Sequence, residues 1–211
     1  MLCRPAHIPE RPPRPTATRH VRLPAGTEVD APTTVGEPCR FRTTADLALL
    51  PLRVAAIDIA ADRDVPELRV ELVALAPGAL AQLAEAGLRL FIAAAPPLGY
   101  PLALWALQHC TAVELRVGGH AVHQLQPPTL DLAPAGPDDA APGIQRLQAF
   151  WSLPQRLLFL DLRGFPRAAL ASATTCELAL RCPGAPDLAF RTCPDDLKVG
   201  CVPAVNLFEA D

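Results

Sequence analysis

The chain has 211 residues, half of them hydrophobic, with a mean hydropathy of +0.21 and a formal net charge of −3. That much apolar surface excludes a disordered chain and is ample for a buried core. The small charge excludes the strong positive field that draws nucleic acid or an anionic membrane.

Residues 1–18 place Pro5, Pro9, Pro12, Pro13 and Pro15 among arginines and read as an extended, disordered tail. They lack the apolar segment of a secretory signal, so the cytoplasm is the expected compartment. Val21 to Val29 predicts two brief strands about a Pro-Ala-Gly turn. Leu47 to Ile59 is apolar with Pro51 and Arg53 inside, which predicts a strand broken by a bulge or bend. Asp62-Arg63-Asp64 is a turn, and Leu68 to Val73 alternates as a half-buried strand.

Pro77 to Glu85 predicts a short helix closed by Gly87, followed by a strand over Leu88–Ile92. The uncharged run Leu90 to Leu107 has the length of a membrane span. Its Pro96, Pro97, Gly99 and Pro101 break it into a strand, a turn and a second helix from Leu98 to Cys110. That helix places Leu98, Leu102, Trp105 and His109 on one face. Membrane insertion is not expected.

Ala112–Val117, Gly118-Gly119 and His120–Leu125 form the strongest hairpin signal. A two-residue turn pairs Val117 with His120 and Leu115 with Val122, and sets Glu114 against His123. Residues 127–143 read as a linker or long loop. Ile144, Leu147 and Trp151 mark a third helix stopped before Pro154. Leu157–Leu162 predicts a strand buried on both faces, Cys176–Leu180 alternates, and Cys201–Phe208 is a last extended segment. The expected class is α+β, mostly antiparallel β with about three short helices. It divides into a β-rich module with two helices over 19–126 and a second, incomplete β-rich module over 144–211.

Candidate chemistry is thin. His120 and His123 are three apart on a strand, which predicts opposite faces and no shared metal. Cys176, Cys182, Cys193 and Cys201 have the spacing C-x5-C-x10-C-x7-C, without the tight pairs of a zinc knuckle. The seven cysteines read as reduced, mostly buried thiols. Cys110 beside His109 is no dyad by sequence adjacency alone. No nucleotide-binding or hydrolase motif occurs. The expectation is no catalytic residue, no metal and no cofactor. Among the aromatics, Trp105 and Phe159 read as core, whereas Phe150, Trp151, Leu207 and Phe208 are candidate interface anchors.

Four segments carry a family resemblance. They are Pro38-Cys39-Arg40-Phe41-Arg42-Thr43-Thr44-Ala45-Asp46-Leu47 with Leu50-Pro51-Leu52, Leu147-Gln148-Ala149-Phe150-Trp151-Ser152-Leu153-Pro154, Leu157-Leu158-Phe159-Leu160-Asp161-Leu162-Arg163-Gly164, and the closing Cys201 to Asp211 with Asn206-Leu207-Phe208-Glu209. In this order they resemble the TssF (ImpG/VasA) family of the bacterial type VI secretion system. The resemblance implies a scaffold rather than an enzyme. In that family two copies combine with one TssG in a wedge of the baseplate. The wedge also contacts TssK and TssE at the cytoplasmic face of the inner membrane. The alternative reading is a thiol- or zinc-dependent enzyme or binding domain on an unrelated β-rich fold.

Overall fold

The computed structural model describes residues 20–31, 38–60, 64–130, 151, 154–184 and 192–206. Among them the paired strands are antiparallel and fall into four sheets, so the fold is α+β. The largest sheet has five strands in the order β5 (Leu52–Ala60), β6 (Glu67–Ala74), β11 (Thr175–Arg181), β8 (Ala112–Val117), β9 (His120–Leu125). A three-stranded sheet sets β7 (Leu88–Ile92) between β10 (Phe159–Leu162) and β12 (Leu197–Val199). A second sets β3 (Cys39–Thr43) between β13 (Ala204–Val205) and β2 (Glu28–Ala31), and β1 (Val21–Leu23) pairs with β4 (Leu47–Leu49). Strands β10 to β13, from the stretch 144–211, all pair with strands from 19–126. The two stretches therefore share one set of sheets.

Alternation builds the core. In β6, Leu68, Val70 and Leu72 are fully buried, while Arg69, Glu71 and Val73 face the other way. Leu178 and Leu180 of β11 and Val113 and Leu115 of β8 complete the apolar face. They join Leu88, Leu90 and Ile92 of β7 and Leu160 and Leu162 of β10 in one contiguous cluster. All four residues of β10 are buried, as expected of a strand covered on both faces, and they include the charged Asp161. Phe159 lies opposite Phe91, ring centroids 4.9 Å apart.

Helix α1 (Leu83–Ala86) continues a 3-10 turn over Leu80–Gln82, and Gly87 closes it at φ 69°. Helix α2 runs over Pro96–Gln108, so the predicted start at Leu98 is two residues late. Pro96 and Pro97 occupy the first turn, where no N–H is needed. Only Pro101 removes an internal bond, and burial of Leu98, Leu102 and Trp105 offsets that loss at roughly 1.5–3 kcal/mol per large side chain. His109 caps the helix and is exposed, not part of the buried face. No helix among the described residues is long and apolar enough to cross a membrane. A short helix α3 (Arg167–Leu170), missed by sequence reasoning, buries Leu170.

Three other expectations change. Strands β1 and β2 form where predicted but join different sheets. The Leu47–Ile59 run breaks twice, between β4 and β5 at Leu50-Pro51 and at a bulge near Ala55. In the hairpin, Val117 does face His120, but Leu115 faces His123 and Glu114 faces Gln124. Val122 is the extra residue of a bulge. His120 to Gln124 are all exposed, so no buried face enforces the simple register. The start of the expected loop is docked: Thr129 and Asp161 exchange backbone hydrogen bonds of 2.9 and 2.8 Å. The turn at Asp62-Arg63 and the helix over Ile144–Leu147 lie outside the described residues.

Candidate functional site

The face of the five-stranded sheet opposite the core carries charge instead of apolar residues. Glu67 and Arg69 of β6, Glu177 and Arg181 of β11, and Glu114 and Arg116 of β8 share it by the strand registers. Arg116 reaches three carboxylates: Glu114 at 2.7 Å, Glu177 at 2.9 Å and Glu67 at 3.2 Å. Arg181 binds Glu114 at 2.7 Å, and Arg69 binds Glu67 at 3.1 Å. Glu67 is 2% exposed, so these guanidinium groups stand in for water around it. Burial alone would lower the pKa of Arg116, but Glu114, Glu67 and Glu177 outweigh it and hold the guanidinium above its ordinary value. Each of these carboxylates is matched to a guanidinium on the same face of the sheet. An acid–base pair would instead need one carboxylate with a raised pKa.

A second group of charges lines a cleft of about 360 Å³ beside the β1–β4 ribbon. Arg89 of β7 makes two bonds to Asp161 of β10, at 2.6 and 3.1 Å, where the two strands place them directly opposite. Arg22 and Asp46 pair at 2.8 Å on the cleft's outer wall. The Ala25 N–H and Arg22 hold the Asp46 carboxyl below its ordinary range. Two of the lining pairs, Arg89–Asp161 and Arg22–Asp46, are thus committed to each other, which suits a rigid support.

Cys176 and Cys182 are buried, Cys201 is half-buried, and Cys39 and Cys193 are exposed, so the expectation of mostly buried thiols holds for only part of the set. Burial, with Glu71 adding to it, pushes the Cys176 thiol up to about 12. Among the described residues no group of three His, Cys, Asp or Glu is placed to hold a metal ion. The hairpin bulge corrects one parity argument: His120 and His123 face Val117 and Leu115, which share a side. Both histidines are exposed on β9 at the sheet's edge.

Of the predicted anchors, Trp151 is 80% exposed, far more than any other large apolar residue described. Phe150, Leu207 and Phe208 lie outside the described residues. Trp105 and Phe159 are core, as expected. Sequence reasoning missed an exposed apolar pair, Val21 and Leu49, set directly opposite each other on β1 and β4. Only the long-range pairing of two three-residue strands creates it.

The structure also joins segments far apart in the chain. Ala204 and Val205 pair with Thr43 and Arg42, and Thr44 N–H and Oγ1 both donate to the Pro203 carbonyl, at 2.9 and 3.1 Å. The Pro38–Leu47 and Cys201–Asn206 segments therefore share one small sheet. That sheet is thin: β2 and β3 are largely exposed, and Val29 stands out at 38%.

Comparison with known proteins gives this arrangement a context. No curated protein matches the chain. A solved structure is similar over 93% of this chain, with a TM-score of 0.73 and 25% identity: a chain of a type VI secretion system TssK-TssF-TssG baseplate subcomplex determined by cryo-electron microscopy. The present chain spans 40% of the length of that one. The family model described as "Type VI secretion system, TssF" matches residues 7–211. With that match over nearly its whole length, the chain belongs to the TssF family of the type VI secretion system.

Proposed function

We propose that the chain acts as a structural subunit of a type VI secretion baseplate wedge, through protein–protein contacts and without catalysis. The observation that carries this reading is the shared fold: 93% of the chain superposes on part of a protein whose setting is a TssK-TssF-TssG subcomplex. The charge networks agree with it, because they tie strands together and present no poised acid, base or nucleophile. The proposed partners are a TssG-like subunit, TssK, a second TssF copy and TssE, at the cytoplasmic face of the inner membrane. The contact anchors are Trp151 and the Val21–Leu49 pair, joined by Phe150, Leu207 and Phe208. A large aromatic with four-fifths of its surface in solvent is the residue type that dominates interfaces.

The test compares tagged wild type with Trp151→Ala and with Val21→Asp/Leu49→Asp in binding a purified TssG-like subunit and TssK. At least one variant should lose about tenfold or more in affinity, while exposed positions of this kind leave unfolding within about 0.5 kcal/mol of wild type. Wild-type binding by both variants would remove these anchors from the interface. The zinc-dependent alternative has no observation in its favour among the described residues.

A further inference from the structure

The Cys110–Cys182 pair is an unexplained group of thiols outside these contacts. Cys110 follows α2 and precedes β8, and Cys182 follows β11. The β8–β11 register sets Ala112 opposite Arg181, and Thr111 bonds the Arg181 carbonyl through both its N–H, at 2.9 Å, and its Oγ1, at 3.2 Å. Continuing the ladder by one step brings Thr111 to Cys182, which leaves Cys110 on the diagonal. Cys182 is pinned from two further directions. Its N–H donates to Pro66 O at 2.9 Å, and its carbonyl accepts from Trp105 Nε1 at 3.1 Å. Both thiols belong to the same buried cluster, close enough to shift each other's ionisation, and the Cys110 Sγ lies 3.4 Å from Ala112 O.

The pair is asymmetric. Cys182 is completely buried. Cys110 is 9% exposed and sits between the exposed His109 and Thr111. Contact with Cys182 lowers the pKa of Cys110, against its own burial and with help from the backbone at Ala112. Contact with Cys110, reinforced by burial, drives Cys182 strongly upward. Cys110 is thus the less buried of the two and the thiol whose ionised form its neighbour favours, and the second lies beside it. That is the arrangement of an attacking and a resolving cysteine.

We propose that Cys110 and Cys182 form a reversible redox pair that closes to a disulfide when the folded protein meets hydrogen peroxide. In the first step the Cys110 sulfur, having given up its proton, attacks one peroxide oxygen. The O–O bond breaks, and the departing hydroxide takes up a proton as water, leaving a sulfenic acid on Cys110. In the second step the Cys182 sulfur attacks the Cys110 sulfur. The S–O bond breaks, and the hydroxide leaves as a second water with the Cys182 proton. Two thiols and one peroxide give one disulfide and two waters. A thiol reductant reverses the bond. The new link ties the end of α2 to the end of β11, across the loop that contains β8 and β9.

The experiment treats the folded 211-residue chain with hydrogen peroxide, blocks remaining thiols, and maps peptides with and without reductant. The expected result is a Cys110–Cys182 linked peptide with the loss of two hydrogens, absent after reduction, and a rise in the urea midpoint of the oxidised form. In Cys182→Ser, a sulfenic-acid trap should label Cys110. In Cys110→Ser, Cys182 should stay unlabelled. Recovery of both thiols in the blocked form, while the exposed Cys39 and Cys193 react, would overturn the proposal. So would linkage of either cysteine only to some other partner. The wild-type peptide map decides the question even if a serine variant fails to fold.

Discussion

Replacing Arg116 with alanine is expected to destabilise the fold by about 2–4 kcal/mol, which places it among the most damaging single substitutions on the sheet's charged face. Arg116 is 14% exposed and closes the gaps between Glu67, Glu114 and Glu177, on three adjacent strands. Without it, Glu177 faces Glu71 directly across β6 and β11, a like-charge pair that has lost its closest guanidinium. Glu67 keeps Arg69 and Arg181, which holds the loss below that of a fully stripped buried charge. The sign with pH follows from the direction of the shift. A cation whose pKa is raised in the fold contributes fully below its unfolded value, already alkaline for arginine. The Arg116 contribution should therefore stay constant from neutral pH up to the onset of base denaturation. Arg40 is the internal control. It is 62% exposed, its contacts to Glu28 and Asp30 are 3.9 and 3.7 Å, and Arg40→Ala should cost at most about 1 kcal/mol. Urea unfolding of the two variants side by side checks the claim, and equal losses would refute it.

The second large effect is expected at Arg89 and Asp161. Asp161 is 7% exposed, and two guanidinium bonds from Arg89 hold its carboxylate at the junction of β7 and β10. Arg89→Ala should cost about 3–5 kcal/mol, because it leaves the carboxylate buried without those two bonds. Pairing Arg89→Leu with Asp161→Leu should recover part of that loss, since the double change removes the buried carboxylate as well as the arginine that binds it. A double-mutant cycle in urea measures the coupling. Additive losses would mean that the pair is not the unit that ties the strands together. This result bears on Leu157–Gly164, one of the four segments that carry the family resemblance. It assigns the acidic residue of that segment to holding the sheet together.

The residue pattern made the local elements legible and left their partners hidden. Period-two alternation in Leu68–Val73 and Cys176–Leu180 marks strands, but nothing in either run says that β11 lies between β6 and β8. Nothing local singles out Glu67 or Glu177, because Arg116, the arginine they share with Glu114, approaches them from another strand. The hairpin was visible in Gly118-Gly119. Its bulge at Val122 was not, because a strand exposed on both sides has no apolar pattern to betray a slip. Helix α2 shows the converse. Its prolines argued for a turn, yet two of them fall in the first turn, where proline is tolerated, and burial of Trp105 and its neighbours holds the rest. The exposure of Trp151 was foreshadowed by its aromatic neighbour Phe150, because the two adjacent side chains could not share one buried face. The Val21–Leu49 pair depended on pairing across more than twenty residues and left no local mark.

The scaffold reading is tested most directly by size-exclusion chromatography with light scattering on the chain alone, on a TssG-like subunit alone, and on the two co-expressed. The account predicts that the co-expressed proteins elute together at the mass of a defined complex. The chain alone, with Val21, Val29, Leu49 and Trp151 in solvent, should run as aggregate or as a broad self-associated peak. A sharp monomer peak for the chain, at the same position with and without the TssG-like subunit, would contradict it.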